Sequence, residues 1–326
     1  MNFDYNEEQQ LLADSVRRFL QKDYDFEKRK AILQGGWSER VWATFAEMGL
    51  TALPLSPDYG GFGGGAVDMM SVMEAFGEAL VVEPYLPTML GALAIAKGGK
   101  EEQKKEILPL VAQGKLRLAL ATGPRGVIGA PVADRIVFGS EGRLRIVGRD
   151  EIEVRAFRTV DDLTAGDIHL NGKGESLAGG VLDEVLDFGT ALSCAEAVGA
   201  MKYACDTTLE YLKTRKQFGV PIGTFQALQH RMVDMYISYE QAKSMACLAC
   251  SKADGANDRR DRARSISAAK IKVADAARHI SQEAVQLHGG MGMSEELKVS
   301  HTIRRLTALG RRFGDVDQHL ARFASL

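Results

Sequence analysis

Apolar and polar positions recur along this chain with two different periods, and the places where the period changes divide it. From Asn6 to Asp23 the run NEEQQLLADSVRRFLQKD puts Leu11, Leu12, Ser15, Val16, Phe19 and Leu20 on one stripe. Asn6 stands at an N-cap position with acids in the first turn, so the stretch predicts an amphipathic helix. A second helix is predicted over SERVWATFAEMGLT, opened by Ser38 and stopped at Gly49, and LPLSPDYGGFGGG after it carries Pro54, Pro57 and five glycines and reads as a loop. Helical period returns over 66–80 with Met69, Val72, Met73 and Phe76 inward, and continues through GALAIAKGG. KEEQKKEILPLVAQG is a last, charged helix, closed by Gly114.

Near Leu116 the period shortens to two. LRLALATG, ADRIVFGSEGRLRIVG, EIEVRAF and DIHLNG alternate or run β-branched between glycines, which reads as a small β unit reaching to about Leu182. From Asp183 the helical period resumes in a run too long for a short helix, with Ala191, Ala195, Val198, Met201 and Cys205 at spacings of three and four that allow close helix packing. The predicted architecture is mainly α: a helical domain over 1–115, a short β unit over 116–182, and a four-helix bundle over 183–326. Neither a parallel sheet nor a strand beyond residue 190 is expected.

Composition narrows the function. The 326 residues are 45% apolar, which suits a globular protein with a continuous core. A net charge of −2, from 41 basic and 43 acidic residues, gives no electrostatic reason to expect nucleic acid or an anionic membrane as partner. The start, MNFDYNEEQQLLADSV, lacks the basic and apolar regions of a signal peptide and no apolar run is long enough to span a bilayer, so a cytoplasmic location is expected. Cys194, Cys205, Cys247 and Cys250 all sit in helical patterns without a second ligand pair, so they read as reduced helix-face or core thiols, with no metal site.

Two stretches carry candidate chemistry. TRKQFGVPIGTF, from Thr214 to Phe225, joins two long helices by a hairpin that holds Arg215, Gln217 and the flat ring of Phe218 beside a Gly-Val-Pro turn. A guanidinium next to turn amides can hold a phosphate in a bidentate grip. These residues alone are equally compatible with a plain helical hairpin. At Gln286 to Met293 the chain reads QLHGGMGM, a glycine-rich break after a helical run, where another backbone or a pyrophosphate can approach closely.

RKQFG followed about 70 residues later by QxHGGxG, both at helix ends, closely resembles the C-terminal domain of the acyl-CoA dehydrogenases. The resemblance implies that Arg215, Gln217, Phe218, Gln286, Gly289 and Gly290 contact an FAD held mainly by a neighbouring subunit, with Asp317 in a segment that also touches the cofactor. LPLSPDYGG and EPYLPT resemble the N-terminal domain of the same family, which would place Met69, Met70 and Met73 near an acyl tunnel, although a Met stripe at this spacing is also ordinary core. The middle fits poorly. ALATGPRGVIGAPVADRIVF lacks the Glu and Ser of the family's flavin-holding motif, and Thr122 alone remains, so the flavin-facing part of the β domain is expected to be missing.

The family's reaction needs a carboxylate to remove an α-proton of the acyl thioester. The positions that carry it in family members hold Phe313 and Gly189 here, and the nearest acids are Asp315 and Asp317. Asp315 is the candidate base; GDVDQHL also reads as a helix start that Asp315 would cap. YGGFGGG, EAFGEALVVEPYL and RRFGDVDQHLARFA resemble most the small subunits of bacterial heteromeric acyl-CoA dehydrogenases, such as those acting on pimeloyl-CoA or steroid side chains. The resemblance implies a flavin-dependent dehydrogenase subunit acting on an acyl-CoA, as a homodimer or a heterotetramer with a large subunit, with an electron-transfer flavoprotein as a further partner. The alternative is a non-catalytic partner subunit that has lost its base and part of its flavin platform. A plain helical interaction protein would leave the conjunction of the two motifs without a cause.

Overall fold

The computed structural model describes residues 6–140, 143–255 and 258–326. The extreme N-terminal residues used in the leader reading, and Glu141 and Gly142 within the long strand run, lie outside them. Helices dominate, in the order α1 (Glu7–Asp23), α2 (Phe26–Gly35), α3 (Glu39–Glu47), α4 (Ala66–Ala79), α5 (Tyr85–Gly98) and α6 (Glu101–Ala112). Seven strands follow: β1 (Leu118–Ala121), β2 (Val127–Ile128), β3 (Arg135–Ser140), β4 (Arg143–Gly148), β5 (Ile152–Arg158), β6 (Thr164–Leu170) and β7 (Glu175–Leu177). The C-terminal part is α7 (Leu182–Thr214), β8 (Lys216–Gln217), β9 (Val220–Pro221), α8 (Gln226–Gly255), α9 (Arg259–His288), α10 (Lys298–Leu309) and α11 (Val316–Ser325).

Local signals explain many of the ends. Asn6 accepts from the Gln9 amide in a reciprocal capping box at α1, and Ser38 accepts from the Val41 amide at α3. The α1 stripe is rotated from the one expected: Ala13, Val16 and Leu20 are buried while Leu11 is 65% exposed. These three fall at i, i+3 and i+7, a face that leaves Leu11 on the solvent side. Helix α2, absent from the periodicity reading, carries the buried Arg29, whose guanidinium donates to Asp162 at 3.1 Å. Met69, Met70 and Met73 are buried in packing.

The chain packs into two compact units that do not follow its order. One comprises Lys28–Met69 and Val82–Gly189. Its strands form two sheets, β1-β3-β4-β7 and β2-β6-β5. Contrary to expectation, β1 and β3 pair in parallel, Leu118 opposite Arg135 through Ala121 opposite Phe138. The chain between them is long enough for the crossover because it includes β2, and Asp134 fixes the return: one of its oxygens accepts the Arg117 amide at 2.7 Å while the two receive the Arg117 guanidinium at 3.0 and 3.1 Å. Helix α5 is tied to the sheet through Thr88, whose hydroxyl donates to the Leu118 carbonyl and accepts its amide.

The other unit contains α1, Met70–Val81 and Thr190–Leu326. Ala197, Val198 and Met201 of α7, Met235 and Ala242 of α8, Val273 and Ile280 of α9, and Leu306 of α10 share one core, so the bundle has four helices, with α11 added against α9. The backbones of α4 and α7 cross so closely that a Cβ on Gly77 would lie 1.9 Å from the Glu196 carbonyl, and one on Gly199 1.8 Å from that of Glu74. Cys194, Cys205 and Cys250 are buried free thiols held above their usual range by burial, consistent with packing residues. A two-residue ladder, β8 with β9, corrects the expectation of no strand after residue 190. No helix among the described residues is long and apolar enough to cross a membrane.

Candidate functional site

The loop between α7 and α8 is a short hairpin because its sequence makes it one. Gln217 faces Val220 across the ladder, leaving Phe218 and Gly219 as the two turn residues with φ of 54° and 83°. That pair of left-handed positions marks a type I′ turn, whose twist matches the strands it joins. Gly219 takes this conformation freely; Phe218 does so at a cost of about 1–2 kcal/mol. Its ring is 92% exposed, touching Phe225 edge-on at 6.1 Å. A strained, solvent-facing aromatic has no folding rationale within this chain.

The base of the hairpin is held by main-chain bonds. The Arg215 amide donates to the Tyr211 carbonyl, and the Ile222 amide to the Arg215 carbonyl, both at 2.8 Å. Opposite, α9 ends at His288, and Gly289 takes φ 61° and ψ −142°, a conformation that is essentially glycine's alone. The two ends enclose a cavity of about 510 Å³, whose wall includes Arg215, Gln217, Gln286, Gly289 and Gly290. Five of the residues singled out from the sequence therefore meet at one place, and Phe218 projects from the turn beside it.

Its chemistry is that of an anion site with apolar sides. No carboxylate among the described residues pairs with the Arg215 guanidinium, whereas the second arginine on the wall, Arg231, is neutralised by Glu283 at 2.6 Å. A Cβ on Gly290 would meet nothing within 4 Å, and its φ lies in the ordinary range. Nothing in this chain's own packing requires glycine there, and an approaching group would find open space. The residues therefore fit the pyrophosphate end of a dinucleotide. They provide no platform for a flavin ring: Thr122 is exposed and, as noted, alone.

Tyr211, Arg231 and His288 also line the cavity and were not singled out from the sequence. Tyr211 stands one turn before Arg215 on the same helical face, a spacing that could have marked it. The Tyr211 and His288 rings stack at 4.5 Å and 27°.

Asp315 and Asp317 are elsewhere. They line a second cavity of about 750 Å³ with Asp275, Arg278 and Arg311. Asp315 caps α11: its carboxylate accepts the Gln318 amide at 2.9 Å, and the Gln318 side chain accepts the Asp315 amide at 3.1 Å. Phe313, with φ of 61°, turns its carbonyl to the His319 ring at 3.1 Å. Gly189 is buried within α7. Two turns further along α7, Glu196 is buried, but each of its oxygens is taken by a guanidinium, Arg305 at 2.7 Å and Arg312 at 2.9 Å.

Comparison with known proteins gives the family. The family descriptions "Acyl-CoA dehydrogenase, N-terminal domain" and "Acyl-CoA dehydrogenase, C-terminal domain" match residues 6–115 and 179–315. The chain is 30% identical to acyl-CoA dehydrogenase IpdE2 of Mycobacterium tuberculosis over 293 residues, covering 89% of this chain and 88% of that protein. It is 29% identical to IpdE2 of Mycolicibacterium smegmatis, covering 97% of this chain and 98% of that protein. Among solved structures, a steroid acyl-CoA dehydrogenase variant, Tcur3481-Tcur3483, superposes with a TM-score of 0.89 at 25% identity over 98% of this chain and 97% of that one. The ChsE4-ChsE5 complex of Mycobacterium tuberculosis shares the fold, with a TM-score of 0.90 at 22% identity over 100% of this chain and 98% of that one. The mainly helical fold, the two motifs at one cavity and these matches together establish that the chain belongs to the acyl-CoA dehydrogenase family.

Proposed function

We propose that this chain is one subunit of a heteromeric acyl-CoA dehydrogenase, and that it grips the pyrophosphate of an FAD whose ring and catalytic base belong to a large subunit. The observation that carries this is the unequal state of the two inherited regions. Arg215 is unpaired beside the open backbone at Gly290, while Asp315 is engaged in a capping box and the family's base positions hold Phe313 and Gly189. Arg215 would bind the pyrophosphate in a charge-assisted, bidentate manner, with Gln217 and Gln286 donating beside it. Phe218 would cover the ligand with its flat face, which gives its strained turn a purpose. When bound, a flavin supplies the hydride acceptor for α,β-dehydrogenation of an acyl-CoA thioester. The names of the relatives favour a steroid-derived acyl group, and an electron-transfer flavoprotein is the natural oxidant of the assembly.

Flavin absorbance of the purified chain, alone and after co-expression with a candidate large subunit, tests this. Flavin bound only to the complex supports the shared site; flavin absent from an assembled complex contradicts it.

A second reading, in which Asp315 is the base, is favoured by one observation: although it caps α11, Asp315 lies on the wall of the larger cavity. Asp315→Asn roughly preserves capping. A full dehydrogenation rate in the assembled complex rules out that role, and a loss of several orders of magnitude with flavin still bound establishes it.

A further inference from the structure

Among the polar side chains on the wall of the Arg215 cavity that the grip on pyrophosphate does not use, His288 is set apart by its fixed orientation. His288 is only 3% exposed and lines the cavity as the last residue of α9. Its Nδ1 lies 2.8 Å from the carbonyl of Ala284, one turn back. A carbonyl oxygen only accepts, so Nδ1 carries the hydrogen, and the neutral ring keeps its lone pair on Nε2. No described side chain or carbonyl bonds to that nitrogen. The stack on Tyr211, at 4.5 Å and 27°, together with the Nδ1 bond fixes the ring in both tilt and rotation. Burial moves the His288 pKa below its ordinary 6.5, which keeps the imidazole neutral at pH 7.

The cavity thus combines three unlike features: an unpaired guanidinium at Arg215, a fixed hydrogen-bond acceptor at His288, and apolar wall from Ile222, Leu228, Leu287 and Met291. A phosphate oxygen can satisfy the first and is repelled by the lone pair of the second. A hydroxyl or an exocyclic amine satisfies the second, and a flat base suits the third. Resting on the reading that the cavity takes the adenosine-diphosphate end of the cofactor, we propose that His288, held by Tyr211, is its specificity-determining residue. Nε2 accepts a hydrogen bond from the nucleoside, either a ribose hydroxyl or the base amine, and so separates a nucleoside diphosphate from bare pyrophosphate.

Titration calorimetry of the full chain with ADP and with inorganic pyrophosphate at pH 7 tests this. His288→Phe keeps a ring against Tyr211 and removes the acceptor. It is expected to weaken ADP about tenfold and leave pyrophosphate unchanged, whereas Arg215→Ala should weaken both. His288→Gln carries an acceptor oxygen on a side chain of similar reach and should recover most of the ADP affinity; it also covers the case in which the Phe variant fails to fold. Tyr211→Leu, which frees the ring, should fall between the two. Equal losses for ADP and pyrophosphate in the Phe variant, or no recovery with Gln, overturn the role of His288 while leaving the anion grip in place. Failure of the unmodified chain to bind either ligand, both alone and assembled with the candidate large subunit, removes the cavity reading and this inference with it; ADP binding that survives Arg215→Ala but not His288→Phe removes only the grip.

Discussion

The hairpin at Arg215 and the loop at 309–315 both correspond to cofactor-contacting parts of the family, and they have been kept in opposite ways. At the hairpin several groups have no evident role within the fold: a guanidinium that no carboxylate pairs with among the described residues, a ring in a strained exposed turn, a glycine with open space before it. In and around the loop, polar groups are engaged within the chain. Lys270 donates to the Leu309 carbonyl, His319 to that of Phe313, Arg312 and Arg305 to Glu196, and Asp315 is bound to its own helix. Groups left unsatisfied by a chain's own fold are available to something else; groups fully paired within it hold the fold in place. On the function proposed above, the contrast is that between a retained binding surface and a converted catalytic one.

The sharpest way to break that contrast is to disturb the paired loop. Glu196→Ala removes the buried carboxylate that receives both the Arg305 and the Arg312 guanidinium, and removing one member of a buried pair costs about 3–5 kcal/mol. Urea unfolding should report a loss of that size, and a loss below about 1 kcal/mol would place Glu196 among ordinary surface pairs.

Lys270 sharpens the comparison through pH. Burial lowers its pKa from 10.5 to about 8, because the charged ammonium is costly away from water. Between these values the unfolded chain binds more protons than the folded one, so stability from this group rises with pH from about 8 to 10.5, by up to roughly 3 kcal/mol. Lys270→Met should flatten that rise in a series of melts, and an unchanged slope would mean that Lys270 titrates in the folded protein as it does in the unfolded chain.

The smallest effect is expected at Asp315. Asp315→Ala should cost about 1 kcal/mol, the ordinary value of an N-cap, and Asp315→Asn much less. An Asn variant as unstable as the Ala variant would show that the charge, and not the cap, holds the segment.

What could be read from the sequence was what is local. The two motifs sit at helix ends, where residue type and spacing determine conformation, so Arg215, Gln217, Gln286, Gly289 and Gly290 could be named before their meeting in space was known. The switch of period near Leu116 and Asp183 likewise marked where strands begin and end, to within a few residues. The stack of His288 on Tyr211 was not legible because it joins two helices far apart in sequence. The parallel pairing of β1 with β3 was hidden for a similar reason: alternation predicts strands but not which strand lies beside which, and Asp134 settles it through a long-range bond. Glu196, Lys270 and Arg305 look like solvated positions in any hydropathy reading. Only the close crossing of α4 and α7 and the meeting of α9 with α10 bury them, and pairing makes that tolerable.

The central claim is that the open hairpin, and not the closed loop, is where this chain meets its cofactor. The flavin content of the assembled complex, measured by absorbance for the unmodified chain and for Arg215→Ala at equal protein, tests it most directly. Arg215 is exposed and makes no ion pair among the described residues, so the account predicts an unchanged melting temperature for the apoprotein together with a loss of flavin affinity of at least tenfold, about 1.4 kcal/mol or more. Flavin retained in full by the Arg215→Ala complex would contradict it.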